Sequence, residues 1–275
     1  MFIQVQEAID KGNGKVSIHG WVHRERKQKD MIFLVVRDST NIIQCVIKQD
    51  KVTKKEWDDA NKILIESSLE IEGEIKEDKR APTGYEIQVN KLNVIQFSEV
   101  FPINKDQSLE LLLDNRHLWL RSRRMISILK IRNTVFRAIH EYYKNEGFYE
   151  FQSPIIQSVQ CEGGSTLFEV NYFGKKLFLS QTWQLYAEPA IFALEKIYCI
   201  SPAFRAEKSK TSRHLTELWM HEMEQAWASF DDIQNHGEKL IKHIIKKVLE
   251  ENAEELKILE RDIIKLQPTV KKPFP

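Results

Sequence analysis

The amino-acid sequence predicts an α+β fold made of two domains in succession. A small β-barrel is expected over residues 1–100 and a larger mixed domain over residues 126–275, joined by residues 101–125. β-rich runs follow one another through the first hundred residues, whereas long amphipathic helical stretches dominate the later part of the chain. A chain of 275 residues has room for two domains of this size.

The first domain is predicted to contain five strands and one helix. The strand candidates are KVSIHGWVHR, MIFLVVRD, NIIQCVIK, SLEIEGEI and YEIQVNKLNVIQ. Between the third and fourth lies VTKKEWDDANKIL, whose apolar residues recur at helical spacing. Three strands, a helix and two further strands are the order of an OB-fold, and Gly20 and Gly73 are expected to let its strands coil tightly. The alternative on strand order alone is a barrel that binds no ligand.

The first hairpin of this barrel carries a local basic patch, HRERKQKD, which includes Arg24. The formal net charge of the whole chain is only +1, so any contact with nucleic acid must come from such a patch. An aromatic residue, Phe33, and an amide, Gln44, follow on the next strands. Cations, a ring and an amide on one face can hold single-stranded RNA, although Phe33 in the core is the competing interpretation.

The connecting segment, FPINKDQSLELLLDNRHLWLRSRR, begins with a Pro turn and ends in a cationic run, and it is read as a hinge. The helix MISILKIRNTVFRAIHEYYKNEGF comes next, with Gly147 as its predicted end. Its predicted apolar face consists of Ile128, Ile131, Val135, Ile139 and Tyr142. Later, KKLFLSQTWQLYAEPAIFAL predicts a strand and a helix, and FDDIQNHGEKLIKHIIKKVLEENAEELKIL predicts an amphipathic helix with an Asp at its start.

The most informative stretch is FRAEKSKTSRHLTELWMHE, residues 204–222. Apolar residues on both sides of a short polar segment predict two strands joined by a charged loop. Two arginines, Arg205 and Arg213, flank that loop. Guanidinium groups stay protonated and present a planar fork of donors, so the pair suits a substrate with several phosphate oxygens. A solvated basic loop is the alternative.

This stretch resembles motif 2 of the class II aminoacyl-tRNA synthetases, in the aspartyl/asparaginyl/lysyl subgroup. The resemblance is greatest to the archaeal and eukaryotic asparaginyl type, and it implies an antiparallel-sheet catalytic domain behind an anticodon-binding OB-fold barrel. It implies that Arg205 binds the α-phosphate and the amino-acid carboxylate, as the main catalytic residue, and that Glu207 contacts adenine. It also implies that Arg213, His214 and Leu215 hold the outer phosphates and the base.

The same resemblance implies an amino-acid site. The loop CEGGSTLFEV would close over the substrate amino group through Glu162, and Gln181 and Gln184 would bind the amino acid. The aspartyl relatives have a Lys where this chain has Ala187, and an Asp where it has Glu222. Loss of the cation and gain of a longer carboxylate favour asparagine. An aspartyl enzyme, including a non-discriminating form, and a non-catalytic RNA-binding protein are the other interpretations; an amide synthetase on the same core is less consistent with the barrel.

In the barrel, the patterns F-L-x-V-R-D and I-Q-C-V-I resemble the anticodon-binding domain of this subgroup. Phe33 would stack on the central anticodon uridine and Gln44 would hydrogen-bond to it, with Arg24 and Glu86 as further contacts. In the second domain, FYEFQSPIIQ resembles motif 1, which places Pro154 at the interface of a homodimer.

The implied function is ATP-dependent attachment of asparagine to tRNA(Asn) through an asparaginyl-adenylate, with Mg²⁺ bridging phosphates. The family continues into a glycine-rich motif 3 with metal-binding carboxylates, but this sequence stops at VKKPFP, so a fragment is expected and no metal ligand is assigned. The widely spaced cysteines form no C-x-x-C pair, and no apolar run is long enough to span a membrane. A cytoplasmic location is therefore expected.

Overall fold

The computed structural model describes residues 1–103, 107–159, 167–208, 211 and 213–274. The chain divides into two compact units, Met1–Ser122 and Arg123–Pro275. Each unit has its own apolar core, and each is described by itself below.

The first unit is built on a closed five-stranded barrel with the strand order β1-β2-β3-β5-β4. This order, with a helix between the third and fourth strands, confirms the predicted OB-fold. Its elements are α1 (Val5–Lys11), β1 (Gly14–Lys27), β2 (Met31–Arg37), β3 (Ile42–Lys48), α2 (Lys54–Lys62), β4 (Ser68–Glu77), β5 (Tyr85–Gln96), α3 (Leu109–Asp114) and α4 (Arg116–Trp119).

Helix α1 has no counterpart among the predicted elements. A capping box between Gln4 and Glu7 starts it, and Gly12 ends it in the left-handed conformation at φ 71°. The carboxylate of Asp38, on the turn after β2, accepts a hydrogen bond from the backbone N–H of Val5 at 2.8 Å. The barrel therefore supplies an anion at the N-terminus of this helix, where the helix dipole favours negative charge.

Two glycines mark places where neighbouring strands come very close. A Cβ at Gly20 would lie 2.4 Å from the carbonyl oxygen of Arg37, and one at Gly73 would lie 2.2 Å from that of Gln88. The sequence predicted that glycines here permit tight coiling, and the structure shows what they make room for: the backbone of the adjacent strand.

The segment between the barrel and α5 is more structured than the predicted hinge. It contains α3 and α4, and the compact units divide after Ser122. Part of its cationic run is used within the unit, because Glu66 accepts hydrogen bonds from Arg37 at 2.8 and 2.7 Å and from Arg121 at 3.0 Å. Arg37 is buried, so its charge needs such a partner.

The second unit contains two small sheets and five α-helices in the part of the chain that is described. The elements are α5 (Arg123–Asn145), β6 (Tyr149–Glu150), β7 (Ile156–Gln157), β8 (Glu169–Tyr172), β9 (Lys175–Leu179), α6 (Gln184–Leu194), β10 (Lys196–Phe204), β11 (Glu217–Gln225), α7 (Phe230–Glu251), α8 (Ala253–Ile258) and α9 (Gln267–Lys271). The sheets have the orders β11-β10-β6 and β7-β9-β8. The β10–β11 pair is the predicted hairpin, with Phe204 opposite Glu217.

The β10–β11 hairpin separates two cores. Tyr198 and Ile200 of β10 pack on one face against α5 and α7, whereas Ile197 and Cys199 pack on the other face against α6. Successive side chains of a strand point to opposite faces of the sheet, so residues two apart lie on the same face. Cys199 lies opposite Glu222 in the register, which places Glu222 on the α6 face.

Helix α5 follows the predicted pattern only in its C-terminal half. Ile139 and Tyr142 are buried, but Ile128 is 37% exposed. The predicted end is confirmed: Gly147 has a positive φ of 76°, and the N–H of Phe148 bonds to the carbonyl of Tyr143 at 3.0 Å.

The later helix region starts at a different residue from the one predicted. Ser229 caps α7 and forms a capping box with Asp232, and the helix stops at Glu251 before α8 begins. Of the helices in the described ranges, none has the length and apolar character needed to cross a bilayer.

Candidate functional sites

The outer face of the barrel forms a groove of about 670 Å³ that brings the predicted RNA-binding side chains together. The register explains this, because Arg24 pairs with Val35, Val35 with Gln44, and Gln44 with Glu86. Side chains opposite one another across strands lie on the same face, so this row crosses four strands side by side. All four predicted residues, Arg24, Phe33, Gln44 and Glu86, line the groove.

Phe33 belongs to the groove and not to the core. Its neighbours Ile32 and Leu34 are fully buried inside the barrel, whereas the Phe33 ring is half-buried on the outer face. The guanidinium carbon of Arg26 lies 4.5 Å from the centre of the ring. A planar cation over an aromatic face is a favourable contact, and it covers the surface on which a base would stack.

A hydrogen-bonded network fills the floor of the groove around Glu86, which is 5% exposed. One carboxylate oxygen accepts from the side-chain amide of Gln44 at 2.9 Å, and the other accepts from that of Gln88 at 2.7 Å. The ammonium of Lys76 lies 3.3 Å from the second oxygen. Both oxygens of this buried carboxylate therefore have hydrogen-bonding partners.

Basic groups from several strands surround the groove. Arg24 and Arg26 come from the predicted patch, while Lys48, Lys76 and Arg80 come from elsewhere in the sequence. Lys27, also in the predicted patch, instead donates to the carbonyl of Ile63 at 2.7 Å. The sequence analysis did not identify Lys48, Lys76 and Arg80 as groove residues, because they are brought to the groove by strand pairing rather than by proximity along the chain.

In the second unit, the candidate active site lies where α6 begins beside β11. The carboxylate of Glu222 accepts hydrogen bonds from the hydroxyl of Thr182 and, at 3.1 Å, from the backbone N–H of Trp183. Trp183 is itself buried and donates its indole N–H to the carbonyl of Phe151 at 2.7 Å. Glu222 therefore fixes the N-terminus of α6, and Thr182 is a site residue that sequence reasoning missed.

The two predicted amide residues lie on the same segment but in different surroundings. Gln181 is 4% exposed, whereas Gln184 is exposed and donates to Glu188 one helical turn later at 3.0 Å. The backbone N–H of Phe204 bonds to the carbonyl of Ser180 at 2.8 Å. This bond holds the glutamine segment beside the C-terminal end of β10.

Arg205 follows directly after β10. Its backbone N–H bonds to the carbonyl of Thr216 at 2.8 Å, which extends the hairpin ladder by one residue. Its guanidinium contacts the sulfur of Met220 at 3.7 Å, on the same face of β11 as Glu222. Glu222 and Arg205 do not form one of the ion pairs of the described residues, and the carboxylate of Glu222 bonds to Thr182 and Trp183.

The loop after Arg205 carries the remaining predicted nucleotide residues. The Nε2 of His214 lies 3.8 Å from a carboxylate oxygen of Glu207, so these two side chains do meet. Arg213 and Leu215 are exposed. Glu162 lies outside the described residues.

Carboxylates are concentrated near the start of α6. Burial raises the pKa of Glu224 above its ordinary value, and the nearby carboxylates of Glu188 and Glu222 raise it further. Negative charge at this site therefore disfavours the binding of a ligand that carries another carboxylate there. In the described ranges, no three His, Cys, Asp or Glu side chains converge as metal ligands.

Pro154, predicted at a subunit interface, is exposed between β6 and β7. Its neighbours Ile155 and Ile156 are 42% and 45% exposed, and Val159 is 42% exposed. In a single copy of the chain, this segment therefore presents apolar surface to solvent.

A family model described as tRNA synthetases class II (D, K and N) matches residues 108–275, which is more than half of the chain. The chain belongs to this family. A second model, described as an OB-fold nucleic acid binding domain, matches residues 16–95. Both observed folds agree with these matches: an OB-fold barrel precedes a class II synthetase catalytic-domain fold.

Similar proteins of this family include the asparagine–tRNA ligase of Thermoplasma acidophilum. It is 48% identical over 261 residues, covering 95% of this chain and 61% of that protein. The crystal structure of asparaginyl-tRNA synthetase from Pyrococcus horikoshii complexed with asparaginyl-adenylate is 40% identical, with a TM-score of 0.93, and covers 100% of this chain and 64% of that one. A putative aspartyl-tRNA synthetase from Leishmania major, at 22% identity and a TM-score of 0.83, shares the fold. The chain spans about 61% of the length of the Thermoplasma relative.

Proposed function

We propose that this class II synthetase chain serves in the ATP-dependent attachment of asparagine to tRNA(Asn) through an asparaginyl-adenylate. The observation that carries the proposal is the β10–β11 hairpin, which places Arg205 and Glu222 on the face of the sheet that packs against α6. The match to a structure described as holding asparaginyl-adenylate supports the same reaction. The barrel groove is the proposed anticodon-binding surface.

Asparagine is favoured over aspartate by charge, since the two side chains are almost the same shape. Ala187 is fully buried on α6, so no cation is present there to hold a substrate carboxylate. Glu188, Glu222 and Glu224 instead make the surroundings negative. An oxygen of Glu222 can accept from an amide N–H of asparagine in addition to its present partners, because a carboxylate offers about four acceptor positions. Attraction of one substrate and repulsion of its near-isostere together give selectivity.

The reaction needs positioning and charge neutralisation more than a protein nucleophile. The asparagine carboxylate attacks the α-phosphorus of ATP and pyrophosphate leaves; the terminal ribose hydroxyl of tRNA then attacks the acyl carbon and AMP leaves. Arg205 neutralises charge at the α-phosphate, and Glu207, Arg213, His214 and Leu215 hold the rest of the nucleotide. Mg²⁺ bound to the ATP phosphates is part of the proposal, since it would help to neutralise their charge.

Pyrophosphate exchange with asparagine or aspartate tests this proposal. We expect exchange with asparagine to be faster by at least about tenfold, and Arg205→Ala to abolish it, since loss of a cation at the reacting phosphate removes several kcal/mol of stabilisation. Lys239→Ala, an exposed cation on α7, is the matched control and should leave the rate unchanged. Exchange that is faster with aspartate would assign the protein to the aspartyl branch.

Two further features belong to the proposal. The exposed apolar residues around Pro154 support a homodimer interface at this segment. Cys45 and Cys199 are buried free thiols, which supports a reducing, cytoplasmic location. Glu162, in this proposal, closes over the substrate amino group.

A further inference from the structure

We infer that Glu86 does not contact the anticodon base but fixes the side-chain amide of Gln44, and that this makes the barrel groove discriminate uracil from cytosine. The inference rests on the proposed function of the groove as the anticodon-binding surface. It changes the role of Glu86 from a base contact to a positioning residue.

The geometry around Glu86 leaves little of its carboxylate for a ligand. It is 5% exposed, one oxygen bonds to Gln44 at 2.9 Å, and the other bonds to Gln88 at 2.7 Å. Lys76 lies 3.3 Å from the second oxygen and 53% of its own side chain is exposed, so it covers that oxygen from the solvent side. Gln44, in contrast, is only half-buried and lines the groove, so its amide is the group within reach of a base.

The contact with Glu86 decides which way the Gln44 amide points. A carboxylate only accepts hydrogen bonds, so the amide nitrogen of Gln44 must face Glu86. The carbonyl oxygen of Gln44 then has a fixed position as an acceptor. Without this constraint, an amide can rotate by half a turn and exchange its donor and acceptor at almost no steric cost.

Uracil and cytosine differ by the same exchange of a hydrogen-bond donor and an acceptor. On its Watson–Crick edge uracil presents an N3–H donor beside the O4 acceptor, whereas cytosine presents an N3 acceptor beside the N4 amino donor. A base stacked on Phe33 is held in one plane, so a fixed amide matches only one of the two patterns. A freely rotating amide matches both, and the discrimination is lost.

Binding of anticodon stem-loop RNAs with a central uridine or a central cytidine tests the inference on the full 275-residue chain. The wild type should prefer uridine by about tenfold or more, which is the range of a well-placed amide contact. Glu86→Gln should reduce the preference below about threefold, because its amide offers only one acceptor in place of two. Glu72→Gln, which removes an exposed carboxylate paired with Lys91 outside the groove, controls for the change in charge and should keep the preference.

A double-mutant cycle separates positioning from direct contact. Gln44→Leu should abolish the preference, and adding Glu86→Gln to it should change the preference no further. A further loss in the double variant would show that Glu86 reads the base itself and would overturn the inference, as would an unchanged preference in a folded Glu86→Gln variant. If Glu86→Gln fails to fold, Gln88→Met removes one anchor of the carboxylate and should lower the preference in its place. Failure of the wild-type chain to bind either RNA would instead refute the proposed function of the groove.

Discussion

At the scale of single residues, Phe33 shows how a strand supplies both core and binding surface. Its neighbours in β2 point into the barrel, and its own ring lies on the outer face under the guanidinium of Arg26. A base that stacks on Phe33 must either displace Arg26 or insert between the two groups. In both cases the cation stays near a phosphate-bearing ligand, so the free groove is already arranged for a planar, anionic partner.

Replacing this ring tests whether a base stacks there. We expect Phe33→Ala to weaken binding of a central-uridine stem-loop by about 1–3 kcal/mol, the usual value of one base–aromatic stack. Fluorescence anisotropy with labelled RNA measures the change. Phe2→Ala removes a partly exposed aromatic residue that packs against His19, and it should leave the affinity unchanged.

Arg24 offers a contrast to Phe33 in the same groove. Arg24→Gln should weaken binding equally for all sequences and reduce the dependence of affinity on salt by about one phosphate contact.

For the Phe33 prediction, equal affinity of the wild type and Phe33→Ala, with both proteins folded, would rule out stacking on this ring.

At the scale of elements, α1 depends on a carboxylate that belongs to another part of the barrel. Burial alone would raise the pKa of Asp38, but hydrogen bonds from the Thr40 hydroxyl and from the N–H groups of Val5, Thr40 and Asn41 outweigh it. The pKa of Asp38 therefore lies below its ordinary value of 3.8. A lowered carboxyl pKa means that the folded state favours the charged form, so this stabilisation is present above pH 3.8 and is lost as the pH falls through the folded pKa.

Asp38→Asn should accordingly lower the free energy of unfolding of the barrel by about 1–2 kcal/mol at pH 7, the usual cost of losing such a cap. Urea unfolding at pH 7 and near pH 2.5 measures the effect, and the difference from wild type should shrink at the lower pH. Asp30→Asn, in the exposed turn before β2, is the matched control. An undiminished difference in acid would show that charge is not the cause.

Several elements were predictable from the sequence because their causes are local. Runs rich in β-forming residues identified the five barrel strands, and Gly147 identified the end of α5. Helix α1 was missed since its capping residue, Gln4, is not a common cap and its anion, Asp38, is distant in sequence. The cation Lys76 was missed for a related reason: only the register of β4 and β5 places it beside Glu86. Gln88, in contrast, lies two residues after Glu86 on the same face of β5, so the period of the strand could have identified it.

In the second unit, motif resemblance indicated Arg205, Gln181 and Glu222. Alternation along β11 places Met220, which contacts Arg205, on the same face as Glu222. The bonds of Glu222 to Thr182 and Trp183 were not predictable, because they depend on how α6 packs against the sheet. No periodicity in the sequence encodes that packing.

At the scale of the whole molecule, the two units differ in the pH range over which acid is expected to reduce their stability. In the second unit, the ring of Tyr143 contacts the imidazoles of His221 and His236, at 5.1 and 5.3 Å between ring centres. Burial lowers the pKa of His221 to about 4 from an ordinary 6.5, and the neighbouring His236 adds to the shift. The pKa of His236 is also lowered, mainly by burial. The unfolded chain therefore binds protons that the folded unit does not, and stability falls as the pH drops from 6.5 towards 4.

We expect His221→Phe to make this pH dependence shallower by up to about 1.4 kcal/mol per pH unit, because the ring is kept and the titrating group is removed. Urea unfolding followed by near-UV circular dichroism at pH 7, 5.5 and 4.5 measures the slope. His117→Gln removes an exposed imidazole and should not change it. A slope equal to that of wild type would assign the acid sensitivity to other groups.

The close strand contacts at Gly20 and Gly73 have a consequence for the gene. Glycine codons all begin with GG, and every single-nucleotide change that alters the amino acid produces alanine, valine, serine, cysteine, arginine, tryptophan, aspartate or glutamate. Each of these carries a Cβ, which at these positions would meet a backbone oxygen at 2.4 or 2.2 Å. No one-step missense mutation at either codon preserves the strand contact, so both codons are expected to drift only through synonymous changes while the barrel remains under selection.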